Sequence, residues 1–96
     1  MKGYVFSPKA KADIENIWDY TVTRWGMEQT EAYLWEIRAS IETIAENPRL
    51  GRMCGYIRHG YYKYPTGSHV LFYRIHDTVV EIVRILHKHM DVDRHL

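Results

Sequence analysis

Apolar residues recur along the chain in two rhythms, a three-and-four spacing between Pro8 and Glu46 and a denser strand-like texture after Gly55. Ahead of both, the aromatic and β-branched segment Lys2-Gly3-Tyr4-Val5-Phe6 predicts a short strand. It runs into Ser7-Pro8, a capping hydroxyl followed by a proline already fixed at helical φ, so a helix starts there. Ala10, Ile14, Ile17, Trp18, Thr21 and Trp25 form its apolar stripe, while Lys9, Lys11, Asp13, Glu15 and Asp19 lie largely off it. Gly26 predicts the stop. A second periodic run, with Tyr33, Ile37, Ile41, Ile44 and Ala45 as its seam, continues to Asn47-Pro48, where proline disfavours further helix. Two helices of about 18 residues and ~27 Å each are expected. A tight turn between them packs them as an antiparallel hairpin.

After Pro48 a glycine-punctuated loop, Arg49–Gly55, leads into strand candidates Tyr56–His59, Tyr61–Tyr64, Val70–His76 and Val79–Leu86. Gly60, Pro65-Thr66-Gly67-Ser68 and Asp77-Thr78 separate them, which predicts an antiparallel meander. The last strand is apolar on both parities and is expected to be central and covered on both faces, with Glu81 and Arg84 in need of partners. The polar tail His87–Leu96 is expected on the surface. The order predicts one α+β domain over residues 1–96: an N-terminal strand and an antiparallel two-helix hairpin on one face of a mainly antiparallel sheet of about four strands. The other sheet face is left open as a docking surface.

At 96 residues a single core forms without disulfides or a structural metal, and 14% aromatic content argues against disorder. Cys54 is the only cysteine, which excludes a disulfide framework and a thiolate zinc cluster and fits a reducing cytosol. No apolar run reaches the roughly 18 residues of a membrane span, and the amino terminus has no signal-peptide core, so a soluble cytoplasmic protein is expected. The net charge of +1 excludes a polybasic nucleic-acid binder. The charge is unevenly spread, from −3 over residues 1–48 to +4 over 49–96, with all six histidines in the second half. An anionic partner would approach through that half.

His87-Lys88-His89 has a zinc-ligand spacing, and Asp91, Asp93 and His95 lie near it, but a terminal tail offers no preorganised site and no metal is expected. Cleavage of RNA by the neighbouring 2′-hydroxyl needs a base, an acid and a cation, and Arg58, His59, His69, Tyr73, Arg74, Arg84 and His87 supply those types. Strand alternation sets Tyr73 opposite Arg74 and Arg58 opposite His59, so only a subset can share one site. The plainer reading is surface cations and cross-strand aromatic pairs. The glycines form no phosphate-cradling motif, no serine elbow is present, and no cofactor is expected.

The string Arg84-Ile85-Leu86-His87-Lys88-His89-Met90-Asp91 with Arg94-His95-Leu96 resembles the C-terminal signature of ParE toxins in the RelE/ParE superfamily. Ala10, Asp13, Ile14, Ile17, Tyr20 and Trp25-Gly26 resemble that family's first helix, and Asn47-Pro48-Arg49-Leu50-Gly51 its helix-to-sheet junction. The resemblance implies a toxin of a type II toxin–antitoxin module that inhibits DNA gyrase by binding rather than as an enzyme. It implies neutralisation by a ParD-like antitoxin, contact with operator DNA only through that antitoxin, and a homodimer or a hetero-oligomer with it. The alternative is the RelE branch, ribosome-dependent messenger RNA endonucleases. Met90-Asp91 stands where that branch more typically has an aromatic residue, and a third reading is an inactive member that only binds an antitoxin. An antitoxin segment would lie between helices and sheet, with Trp25, Tyr33 and Trp35 as anchors and Trp18 assigned to the core. The target would be met by Arg49, Arg52, Arg58, Arg74, Arg84 and His87, against an acidic surface of gyrase or its bound DNA.

Overall fold

The computed structural model describes residues 3–96, so Lys2 of the expected first strand lies outside the described residues. Strand β1 (Gly3–Phe6) leads through Ser7 into helix α1 (Pro8–Trp25). The Ser7 hydroxyl oxygen accepts the Ala10 N–H at 3.0 Å, so the sequence cap is a real one. Gly26 at φ +85 is the single non-helical residue between α1 and helix α2 (Met27–Glu46), and its positive φ is what lets one residue serve as the joint. The buried Thr30 hydroxyl fastens that joint by donating to the Gly26 carbonyl at 2.7 Å.

After α2 a 3-10 turn at Pro48–Leu50 opens the sheet: β2 (Arg52–Met53), β3 (Tyr61–Thr66), β4 (His69–Ile75) and β5 (Val79–His87). The strand order is β1-β5-β4-β3-β2, with β1 parallel to β5 and every other pair antiparallel. The expected strand Tyr56–His59 is instead a turn. Its Ile57 and Arg58 N–H groups donate to the Cys54 carbonyl, and the place beside β3 belongs to Arg52–Met53, which the sequence reading assigned to the loop. Among these four residues only Ile57 packs against a core, Tyr56 being left exposed, so no strand-like face holds them extended.

The expectation for the last strand holds. β5 lies between β1 and β4, with Val80, Ile82 and Ile85 under the helices and Leu86 on the opposite face. An irregularity in the β4–β5 register changes the partner from Arg84 at Phe72 to Ile82 at Tyr73, and the extra residue Val83 permits that uneven apolar spacing. Glu81 finds Arg74 and His76, and Arg84 finds Asp13. The main core joins Ala10, Ile17, Ile37, Ile41 and Ile44 to Tyr62, Leu71, Tyr73, Val80, Ile82 and Ile85.

The second sheet face is not the open docking surface expected from the sequence. Cys54, Phe72 and Leu86 form a smaller core there, packed by Ile57, Tyr61, Val70, Val92 and Leu96. The tail folds back as a short helix α3 (Val92–His95), capped by the Asp91 carboxylate, because Val92 and Leu96 supply apolar surface amid its charges.

β1 pairs with β5 only as far as Phe6–Ile82, which leaves the rest of the β5 edge without a neighbouring strand. Side chains take over there. Ser7 donates to the Val83 carbonyl at 2.7 Å, and Asp13 Oδ2 accepts the Ile85 N–H at 2.9 Å. Arg84 grips the same carboxylate with two bonds of 2.8 Å and donates a third to the His95 carbonyl at 2.7 Å. The bond to Asp13 raises the Arg84 pKa above its ordinary value against the opposing effect of burial. Removing one partner of a buried pair strands the other charge. Arg84→Leu is expected to cost about 3 kcal/mol in urea unfolding. Adding Asp13→Asn, whose amide oxygen still accepts the Ile85 N–H, should recover part of that loss.

Candidate partner-binding groove

Past Ile17 the apolar stripe of α1 runs beyond the end of the sheet, so its last members lie uncovered. Thr21 is half-buried and Trp25 is 64% exposed. Between this part of α1, the start of α2 and the ends of β4 and β5 lies a groove of about 460 Å³, lined by Tyr20, Thr21, Trp25, Gln29, Tyr33, Ser68, His69 and His87. An adjoining hollow of about 420 Å³ shares Tyr20, Thr21, His69 and His87 and extends it toward Asn16, Ile85 and Met90.

The groove wall is built around the Tyr33 hydroxyl. It accepts the Ser68 N–H at 2.9 Å and lies 2.6 Å from His69 Nδ1, with the Thr66 carbonyl more distant at 3.4 Å. The hydroxyl oxygen can accept from both the Ser68 N–H and a protonated Nδ1 while donating to the Thr66 carbonyl, or donate to a bare Nδ1, so the site accommodates either neutral tautomer of His69. Gly67, at φ +60 in the β3–β4 turn, lies directly under this tyrosine. A Cβ there would come within 2.5 Å of the Tyr33 ring, so the turn and the tyrosine require each other. His87 lies across from His69 in the β4–β5 register with ring centroids 5.4 Å apart, and His89 follows at 5.3 Å.

Burial holds the His69 pKa down to about 4, helped by His87 and opposed by Asp13, and burial also raises that of Tyr33. His69 is therefore a neutral ring near pH 7, unsuited to neutralising a phosphate. No cluster of three His, Cys, Asp or Glu among the described residues is arranged to hold a metal.

Trp25, Tyr33 and His87 meet in this groove. Trp35 does not. It is 64% exposed on the outer side of the hairpin, in a shallow depression with Trp18, Glu31, Leu34 and Arg38, whose guanidinium lies 5.0 Å from its ring centroid. The basic candidates also separate. Arg49 donates to the Tyr62 hydroxyl at 2.9 Å, Arg52 lies on β2 opposite Lys63, and Arg58 is exposed in the turn that follows. Arg74 bonds Glu81 and stacks on Tyr61, and Arg84 is held by Asp13. Of the residue types that suggested RNA cleavage, only His69 and His87 share this groove. Tyr73 is fully buried, its hydroxyl donating to the Pro48 carbonyl at 2.7 Å and accepting the Gly51 N–H at 3.0 Å, and burial pushes its pKa up to about 12. As lining residues, Tyr20, Gln29 and Met90 escaped the sequence reading, since Tyr20 and Gln29 are exposed helical positions and Met90 follows the last strand.

A histidine whose folded pKa lies below its unfolded value favours the native state above pH 6.5, and that advantage fades as pH falls toward about 4. Wild-type protein is thus expected to lose about 2 kcal/mol over this window beyond what His69→Gln loses, measured by urea unfolding at each pH.

Comparison with known proteins places this architecture among toxins. The family described as "ParE toxin of type II toxin-antitoxin system, parDE" matches residues 4–92. Toxin ParE1 of Mycobacterium tuberculosis (strain H37Rv) is 51% identical over 94 residues, covering 97% of this chain and 96% of its own. Toxin ParE1 of Caulobacter vibrioides is 47% identical over 96 residues, covering 100% and 99%. The fold is also that of a chain from the chromosomal ParDE system of P. aeruginosa, with a TM-score of 0.78 at 19% identity over 91% of this chain and 96% of that one. A chain from the RelBE2 toxin–antitoxin complex of Mycobacterium tuberculosis follows with a TM-score of 0.65 at 22% identity, covering 91% and 98%. With the family matched over nearly its whole length, the chain belongs to the ParE toxins of type II toxin–antitoxin systems.

Proposed function

We propose that this toxin arrests DNA gyrase by direct binding, without bond-making chemistry of its own, and that a ParD-like antitoxin neutralises it by occupying the groove beside Tyr33. The observation that carries the non-enzymatic reading is the fate of the nuclease-type side chains. Tyr73 is spent on closing the Pro48–Gly51 turn and Arg84 on holding Asp13 and the His95 carbonyl. Half-buried His69 is neutral across the physiological range, so it supplies neither the acid nor the cation, and its Nδ1 lies 2.6 Å from the Tyr33 hydroxyl. An acid, a base and a free cation around one phosphate are what such cleavage requires, and these residues are otherwise engaged.

The antitoxin reading is supported by the groove's aromatic lining, a surface that suits the apolar face of a partner segment. The similar folds come from a ParDE system, a RelBE2 toxin–antitoxin complex and a heterotetrameric YoeB–YefM complex of Staphylococcus aureus. On this reading the antitoxin spans both the groove and the outer hairpin face at Trp35, operator DNA is reached only through it, and the assembly is a hetero-oligomer working in the cytoplasm. The toxic contact is assigned to Arg49, Arg52 and Arg58, with Arg74 beside them. Arg84 and His87 act from within the fold and the groove.

Purified toxin is expected to inhibit gyrase supercoiling and accumulate linear plasmid while messenger RNA in a coupled translation reaction stays intact, both effects answering to added antitoxin. Cleaved messenger with normal supercoiling would place the protein among the ribosome-dependent nucleases, and harmless induction of the toxin alone would mark it as inactive. Trp25→Ala and Trp35→Ala should each weaken antitoxin binding by about 2 kcal/mol in calorimetry. Unchanged affinity in Trp35→Ala would confine the antitoxin to the groove.

A further inference from the structure

Between Glu46 and Asp77 the chain contains no Asp or Glu, yet it carries Arg49, Arg52, Arg58, Lys63 and Arg74. This stretch builds β2, β3 and β4, one side of the sheet, whereas eight of the twelve acids lie between Asp13 and Glu46, on the helices. Within it Arg52 and Lys63 are directly opposed across the β2–β3 pair, so both point to the same face. Like charges in that position repel and cost stability.

Nothing in the described fold relieves them. The ion pairs among the described residues involve Arg38, Arg74, His76 and Arg84, and none involves Arg49, Arg52, Arg58 or Lys63. The Lys63 ammonium donates instead to the Tyr56 hydroxyl at 3.0 Å and lies 5.7 Å from its ring centroid. Tyr56 is 75% exposed and Met53, next along the edge, is 68% exposed. Arg58 follows this edge in an exposed turn, whereas Arg49 is bonded to the Tyr62 hydroxyl on the opposite face of β3.

A phosphate backbone is uniformly anionic and favours an edge free of acids. An exposed tyrosine held beside the cations adds a ring for a sugar or base. We infer that the β2–β3 edge binds the backbone of duplex DNA through Arg52 and Lys63, flanked by Arg58, with Tyr56 against the sugar. The choice of duplex DNA rests on the gyrase reading, and it means that the toxin recognises gyrase with its DNA rather than the bare enzyme.

The test is fluorescence anisotropy of a labelled 20-base-pair duplex with purified toxin and no gyrase, from 50 to 200 mM salt. Three phosphate contacts predict that affinity falls about fortyfold over this range. In Arg52→Gln/Lys63→Gln one contact remains, so binding at 50 mM weakens and the fall shrinks to about threefold. The double variant should melt no lower than wild type, because a repulsive pair has been removed. Arg58→Gln, in an exposed turn, provides a second variant and should lower the salt slope by about one. Absence of binding at 50 mM, or the same slope in all three proteins, overturns the inference. So does a single-stranded RNA probe that binds tenfold tighter than the duplex. Gyrase inhibition without DNA binding would sink this inference alone, and DNA binding with unimpaired gyrase would sink the gyrase reading alone.

Discussion

One carboxylate holds the two ends of this chain together. Asp13 completes the edge of β5 where β1 has already stopped, accepting a backbone N–H as a neighbouring strand would and binding the adjacent arginine twice. Arg84 spends a third donor on the His95 carbonyl of the terminal helix. Helix, strand and tail are thereby tied at a single buried point, and the groove exists because α1 is held at that point and then runs past the end of the sheet. The pair supplies geometry at least as much as energy, since burying two charges offsets much of what their attraction returns.

The parts of the fold legible in the sequence are those with a strong local rhythm. Ile37, Ile41, Ile44 and Ala45 are buried as their spacing requires, and Gly26 and Ser7 end and begin helices where turn and cap chemistry put them. Asp13 escaped because it is charged, although it falls at a helical step between Ala10 and Ile17 on the inward stripe. A buried acid on an apolar face was the signal, and its partner lay 71 residues away. Trp25 shows the opposite failure. Its spacing was that of a core residue, but periodicity says nothing about where the sheet beneath it ends.

The candidate site was legible in its residue types and much less in their grouping. Tyr33 and Trp25 do share a groove, but Trp35 faces away on the other side of the hairpin. The arginines chosen for charge divide into those the fold consumes, Arg74 and Arg84, and those it leaves at the β2 edge. Strand alternation assigns a face only once the strands are known, and replacing Tyr56–His59 by Arg52–Met53 as the partner of β3 moved the cationic edge. The molecule therefore presents two unlike surfaces, a neutral aromatic groove on the hairpin side and an acid-free cationic edge at the far side of the sheet.

The parallel pairing of β1 with β5 also sets the order in which the molecule can come into being. Ser7 and Asp13 find their partners at Val83, Arg84 and Ile85, separations of 71 to 76 residues. At about 5–20 residues per second of synthesis, the first helix waits several seconds for the strand that receives it. Tyr20, Trp25 and Tyr33 emerge early with the helices, but the facing wall comes from His69 and His87, so the groove is complete only once β5 has been made.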